Sequence, residues 1–562
     1  MMTLFLRALF FLLLVAFHPA VAQLAPPTWG PAQAITSVDN LGVVGQVIDA
    51  QGNMYIAGAF QTTVTLAAGT VLTSRGTSDG FVAKYSAAGT LVWVVQAGGP
   101  SYDRPAGLAI DATGTLHLVG NFANSVQVGT QTVSFAGTSP HFYVATITPQ
   151  GQVSTLRQDG QPIVATNTGT DASASGIALD AAGNEYVTGY LSGGPVAIGG
   201  TSLTGSTAAA TRLEYFVVKY NAGTATALWA RQGGRVPSVA GQTFYTPALV
   251  VSPAGEAYLI ATFPTGTGAF GALPLPTEQG SFDVGVVKYN AQGTEQWVRR
   301  SGGAGADQAR YATLDGSGRL AVASSFSGAA SFGGQVLTGT GTRSGALLVF
   351  DALSGAELWG RALTGTTTAF YGDAVTDAAG NFYLVGTFDG TGAAGAGALT
   401  SAGGTDAVVV SYSPQGAFRW QQQSTGSADE MAFSIRLDNA QRLRVVGSFI
   451  GTAQLGSTAL TGQSTTNVNV LVAQLAALPL AARVPQAAQP LGLSPNPAHG
   501  ETLLPLLPIG TQLTLTDALG RVVRPNVTAA PVLSLLVLAP GLYHVLATAP
   551  DGRRWASRLQ VE

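Results

Sequence analysis

The chain has 562 residues, a formal net charge of −3, no cysteine, and charged side chains at only 10% of positions, against about 25% in an ordinary soluble domain. No basic stripe is present to neutralise phosphates, which excludes a nucleic-acid partner. The missing cysteine excludes disulfides, thiolate metal sites, a catalytic thiol and a cysteine-borne lipid anchor. With 73 glycines and a 46% hydrophobic fraction, the composition is that of an all-β protein with many turns and a large core.

The N-terminus carries Arg7, an apolar run from Ala8 to Phe17, and Ala20-Val21-Ala22. A positive residue, a short apolar stretch and a small-x-small site predict a secretory signal peptide over 1–22. The run is shorter than the ~20 residues needed to span a bilayer. No later segment is long enough, so the mature chain is expected to have no transmembrane segment.

From residue 23 to 475 one phrase recurs. It reads Asp49-Ala-Gln-Gly-Asn-Met-Tyr55 in the first copy and returns at Asp111, Asp180, Ser252, Asp315, Asp377 and Asp438. Its glycine stands at 52, 114, 183, 255, 318 and 380, with Gln441 in the seventh copy, so the period is 61 to 72 residues. A fixed period signals a repeat architecture. Each repeat predicts four strands: a short apolar one before Asp, a second after Asn, a third such as Phe81-Val-Ala-Lys-Tyr85, and a fourth marked by Trp93, Trp229, Trp297, Trp359 or Trp420. Asp-x-x-Gly-Asn is a tight-turn signal. The three lysines, Lys84, Lys219 and Lys288, share one third-strand position and read as edge residues.

Strands apolar on both faces imply blades that bury each face against a neighbour. The seventh copy stops at Leu475 without a fourth strand, and an unattached Trp29-Gly30 begins the mature chain. Placing Trp29 in the fourth strand of blade seven closes the ring. The expectation is an all-β fold, a seven-bladed β-propeller closed by its N-terminal strand. The repeats resemble a bacterial family of seven-bladed propeller repeats marked by Asp-x-x-Gly-Asn-x-Tyr-x-x-Gly. That resemblance implies an extracellular setting and no particular reaction. The repeats exceed the usual ~40–45 residues of a blade. The excess, as in Val196-Ala-Ile-Gly-Gly-Thr-Ser-Leu-Thr204, predicts an extra hairpin between strands two and three, on the face of the blade-to-blade loops.

Chemistry-bearing motifs are few. Gly76-Thr-Ser-Asp-Gly80 fits a nucleophile elbow, but a strand follows where a helix is needed. Gly266–Gly271 and Gly390–Gly395 match a dinucleotide fingerprint but lead into loops. His117 reads as a core or edge residue. His141, beside Ser139-Pro140, reads as a loop residue able to face a ligand. A ring merits attention: Asp39, Asp103 and Asp307 lie ten residues after Trp29, Trp93 and Trp297, Asp429 lies nine after Trp420, and Asp171 holds the matching place before Asp180. One reading has these side chains accept backbone N–H bonds and pin adjacent blades. The other is a carboxylate ring around a calcium ion or polyhydroxy ligand. Arg104, Arg310 and Glu430 flank it. No histidine or acid cluster has metal-ligand spacing.

Residues 476–490 are Ala/Pro-rich and read as a linker. Residues 491–562 predict a small β-sandwich (Ig-like) domain of short alternating strands. This tail resembles the type A C-terminal sorting domain of the type IX secretion system of one phylum of Gram-negative bacteria. The matching residues are Pro495, Asn496, Pro497, Asp517, Gly520, Arg521, Pro540, Gly541, Tyr543 and Arg558. The resemblance implies passage through the periplasm, export by that machinery, cleavage by its sortase, and release or attachment to anionic lipopolysaccharide at the cell surface.

No acid, base and nucleophile set is evident, and no cofactor other than calcium at the Asp ring is expected. The function expected is a secreted or surface-displayed scaffold that binds a glycan, matrix or surface-protein ligand. The alternatives are an extracellular carbohydrate-active hydrolase or lyase with its site at the channel mouth, and a structural adhesin.

Overall fold

The computed structural model describes residues 24–135, 139–163, 171–205, 212–237, 246–264, 268–277, 280–332, 334–478, 489–505, 507, 511–549 and 554–562. The segment read as a signal peptide and most of that read as a linker lie outside them. No helix among the described residues is long and apolar enough to cross a membrane. The chain divides into two compact units, the second holding Leu478–Glu562.

The first unit is all-β and propeller-like. Among the described residues its main strands fall into seven antiparallel groups of four, the first being Gly42–Ile48, Met54–Phe60, Asp79–Tyr85 and Leu91–Gly98. In the seventh group, Glu430–Leu437, Leu443–Ile450 and Val468–Leu475 are completed by Trp29–Ser37 from the other end of the chain. The apolar face of each group meets the next. One buried cluster joins Ile56 and Phe81 of group one to Val446 and Val470 of group seven, and another joins Tyr258 and Trp297 of group four to Leu320 and Leu348 of group five.

The groups close in a ring. Gly45 lies beside Leu108, and Asn121 exchanges two bonds with the Ala174 backbone. Ser175 Oγ donates to Pro247 O at 2.7 Å, and Ala309 N to Thr262 Oγ1 at 3.1 Å. Arg310 stacks on Phe370, Ser434 Oγ donates to Asp373 Oδ2, and Gln46 Nε2 donates to Ser434 O and Arg444 O. These contacts run from the first group through the seventh and back. Trp29–Ser37 supplies the outer strand that the last group would otherwise lack.

The repeated phrase is turn chemistry. Asp49 Oδ1 accepts Gln51 N and Asn53 N, its Oδ2 accepts Asn53 Nδ2 and Tyr55 OH, and Gly52 takes φ +81°. The lysines are not edge residues. Lys84 is 7% exposed, with Nζ 3.7 Å from Asp49 and donating to Pro149 O, and Lys219 and Lys288 meet Asp180 and Glu256 at 3.1 and 2.8 Å. A buried ammonium needs such a partner. The extra hairpins are present, as in Ser125–Val128 with Gln131–Ser134, and each bonds to the outer strand of the preceding group or the segment following it. Pairs include Ser37 with Val64, Gly98 with Gln127, and Gly302 with Ser331.

In the second unit, Gln489–Pro490, Arg554–Val561, Gly541–Thr548, Gln512–Asp517 and Val522–Thr528 form a five-stranded sheet in that order. Glu501–Leu503 pairs with Val532–Ser534. Leu513, Leu515, Val545 and Leu559 fill the core with Leu533 and Leu535.

Candidate functional site

The inner strands carry a repeated bulge that fixes their register. It falls between Val43 and Gly45, Pro105 and Gly107, Ala174 and Gly176, Ala309 and Tyr311, Tyr371 and Asp373, and Ala432 and Ser434. Two residues earlier stand Leu41, Asp103, Ala172, Asp307, Ala369 and Glu430. The first five each donate a backbone N–H to a carbonyl at or just before the start of the preceding group's third strand, as in Asp103 N to Ser78 O at 2.8 Å.

Equivalent acids are therefore Asp103, Asp307 and Glu430, and the five-Asp ring is corrected to these three. Asp429 and Asp171 stand one residue early and Asp39 two. The cause of the last shift is Trp29. It pairs with Leu475, whereas Trp93, Trp229 and Trp297 pair one residue deeper, with Lys84, Lys219 and Lys288. An irregularity between Trp29 and Ala32 absorbs the difference, so counting ten from Trp29 overshoots backwards by two.

Asp103, Asp307 and Glu430 are each 0% exposed, as are Asp79, Asp283 and Asp406, which stand in the preceding groups' third strands. Asp103 Oδ2 accepts Gly99 N and Asp307 Oδ2 accepts Gly303 N, both at 2.6 Å. Burial, with a neighbouring carboxylate adding to it, pushes Asp103 and Glu430 up to about 7 and Asp307 to about 6; the neighbours are Asp79, Asp406 and Asp283. Asp283 also forms a buried 2.6 Å ion pair with Arg300.

The other predicted positions diverge. Asp39 accepts a short bond from Thr62 Oγ1, and Asp429 Oδ1 accepts Thr405 N at 2.8 Å. Asp171, half-buried near His141, is raised by burial. His141 is not a loop residue. It opens a third strand, is 0% exposed, bonds Gly160 O through Nδ1 at 3.0 Å and packs on Phe135. Burial lowers its pKa. His117 bonds Glu185 at 2.7 Å. Among the described residues no group of three or more His, Asp or Glu could hold a metal ion. The third-strand acids were overlooked in the sequence, yet they have a signal: Asp79, Asp283 and Asp406 each stand six residues before a tyrosine, at 85, 289 and 412.

The inner strands enclose a cavity of about 410 Å³, lined by six of the seven groups. It brings together Arg104 and Arg310, which the sequence reading named, with Arg436, Gln46, Ser175 and Tyr311. Among the described residues no Asp or Glu lines it. Arg104 is exposed and stacks on Tyr102 at 4.3 Å. Arg436 is tied to buried Asp373 at 2.5 Å.

In the second unit the motif residues make turns and strand contacts. Asn496 Nδ2 donates to Arg558 O at 2.7 Å, and its Oδ1 accepts Gln560 N. Asp517 accepts Leu519 N, Arg521 N and Arg521 Nε around Gly520 at φ +80°. Tyr543 OH donates to Ala539 O beside Pro540-Gly541.

No family model and no curated protein matches the chain. Its structural neighbours include β-propeller proteins. It is similar to a quinohemoprotein alcohol dehydrogenase from Comamonas testosteroni, at 11% identity and a TM-score of 0.39, over 83% of this chain and 79% of that one. A polysaccharide lyase described as an ulvan lyase is similar at 11% identity and 0.34, over 74% and 93%. PorZ, a surface component of the type-IX secretion system of Porphyromonas gingivalis, is similar at 10% identity and 0.17, over 95% and 100%. All three scores lie below 0.5, and the fold rests on the chain's own strand pairings.

Proposed function

We propose that the chain is a seven-bladed β-propeller that serves as a secreted or surface-displayed binding scaffold. In this reading a signal peptide over 1–22 precedes the propeller, and a linker joins it to a type IX sorting domain over 491–562. The machinery and sortase of that system are then its export partners. The observation that carries the scaffold reading is the burial of the repeated acids. Asp103, Asp307 and Glu430 are 0% exposed, so no ligand in the channel touches them, and the bonds from Gly99 and Gly303 make pins of two of them. The repeat lysines and the Asp of the phrase are likewise spent on turns and ion pairs. What faces the channel is suited to binding.

A hydrolase or lyase needs a proton donor or acceptor within reach of substrate, at about 2.6–3.2 Å or through one water. The acids raised towards neutrality are walled off from the lumen, which argues against that alternative. A glycan array together with a polysaccharide-degradation screen of the full chain tests the scaffold reading. Retention without product is expected. New reducing ends or unsaturated products would overturn it.

A further inference from the structure

We propose that Asp406 and Glu430 together hold a calcium ion where the sixth group passes to the seventh. This stands apart from the scaffold reading, since it concerns the wall between two groups and not the channel. The three acid pairs are balanced in different ways. Asp283 has the buried Arg300 guanidinium at 2.6 Å. Asp79 accepts Ser74 Oγ, the Arg75 amide and Gln96 Nε2. Arg300 and Gln96 each stand three residues after their group's tryptophan, Trp297 and Trp93, and the residue at that place in the sixth group is Gln423. Gln423 Nε2 donates instead to Thr400 O at 2.8 Å. Asp406 Oδ2 accepts only a neutral backbone donor, the Ala402 amide, at 2.8 Å.

Both side chains are 0% exposed, and among the described residues no well-formed hydrogen bond ends on Asp406 Oδ1, Glu430 Oε1 or Glu430 Oε2. The hydroxyls closest to them are spent on backbone: Ser401 Oγ donates to Gly403 O and Gly404 O, and Ser424 Oγ accepts Ala407 N. The Gly426 backbone lies against Glu430, and a Cβ there would fall 1.9 Å from Oε1 and 2.8 Å from Oε2. Asp429, beside Glu430, accepts Thr405 N. Two carboxyls thus meet with unbonded oxygens and no Lys, Arg or His among the groups acting on them. Buried charges of one sign call for a counter-charge. Calcium takes about six to eight oxygen ligands in irregular geometry. Among the described residues no third acid joins the pair, so backbone carbonyls and water complete the shell. Asp406 follows exposed Ala402–Gly404 and Glu430 follows exposed Ser427, which gives the ion a short path from the loop side. Without calcium, a proton is what relieves the pair.

The test is calorimetric titration of the full chain, freed of metal with a chelator, with calcium chloride and with magnesium chloride, alongside thermal scans. At pH 8 calcium should bind, and millimolar calcium should raise the melting temperature by about 3 °C or more. Magnesium, which demands near-octahedral geometry and sheds its water reluctantly, should bind about tenfold more weakly or worse. At pH 5 protons compete for the same oxygens, and calcium affinity should fall by about tenfold or more. Asp406→Asn and Glu430→Gln should each abolish the calcium-induced shift, whereas Asp307→Asn, at the pair that Arg300 already balances, should retain it. The proposal is overturned if calcium neither binds nor shifts melting, if magnesium binds as tightly, or if affinity is the same at pH 5 and pH 8. It is equally overturned if Glu430→Gln keeps the full response or Asp307→Asn loses it. Should one of the two site variants not fold, the other decides together with the pH dependence of the unsubstituted chain.

Discussion

Glu430 stands 24 residues after Asp406, and the two carboxyls meet inside the protein at 0% exposure. Asp103 with Asp79 and Asp307 with Asp283 repeat the arrangement at the same spacing. Each pair lies where one group hands over to the next. An acid whose folded pKa is raised holds its proton more tightly folded than unfolded. Stability therefore falls as pH climbs from its unfolded value, near 4, through its folded one.

The melting temperature should thus be higher at pH 5 than at pH 8. Glu430→Gln should raise it at pH 8 by roughly 2–4 °C per kcal/mol relieved and flatten the slope between the two pH values. Thermal scans across pH 4–9 check this. Below about pH 4 the trend should reverse, because Asp49, Asp180 and Glu185 are held below their ordinary values by hydrogen bonds and cations.

Asp180→Ala should cost on the order of 3 kcal/mol, because it strands buried Lys219 and leaves the Asn184 side-chain amide without its acceptor. Adding Lys219→Met should recover part of the loss. A double-mutant cycle by urea denaturation measures the coupling, and additive losses would contradict the buried pair.

Trp297 Nε1 donates to Leu353 O at 3.0 Å, and Trp93, Trp229 and Trp359 make the same clasp to the next group at Pro149, Ala291 and Pro414. Trp297→Phe keeps an aromatic ring, though a smaller one, and removes the bond, whose share of the loss is about 1 kcal/mol. Trp297→Ala should cost about 3–5 kcal/mol. No loss for Trp297→Phe, by chemical denaturation, would assign the hydrogen bond no energy.

A chain ending at Ala477 should accumulate in the periplasm of a host with type IX secretion, while the full chain reaches the surface or medium. Cell fractionation decides this. Equal export of both would remove the sorting role of the tail.

What could be read from sequence was what is local. The turn from Asp49 to Tyr55 closes on itself within six residues, so its Asp, Gly, Asn and Tyr announced the hairpin directly. The hairpin insertions were equally legible, but their docking on the preceding group's outer strand depends on partners tens of residues away. The Asp ring was misread because Trp29 looks like the other tryptophans while sitting two positions out of register, an irregularity visible only in the pairing with Leu475. His141 looked like a loop residue beside Pro140. The register of Phe142 with Asn121 and Asp159 makes it a buried strand residue. Arg104 and Arg310 could be named from sequence, but their convergence on one cavity needed the ring to close.

Trp29–Ser37 completes the seventh group by pairing with Val468–Leu475. Native-state hydrogen exchange at Ala32, Ala34 and Ile35 tests that pairing most directly. These amides should be protected as strongly as Val470–Leu475 and exchange together with them. Exchange at the rate of an exposed loop, with Val470–Leu475 still protected, would show an open ring and contradict the closed propeller.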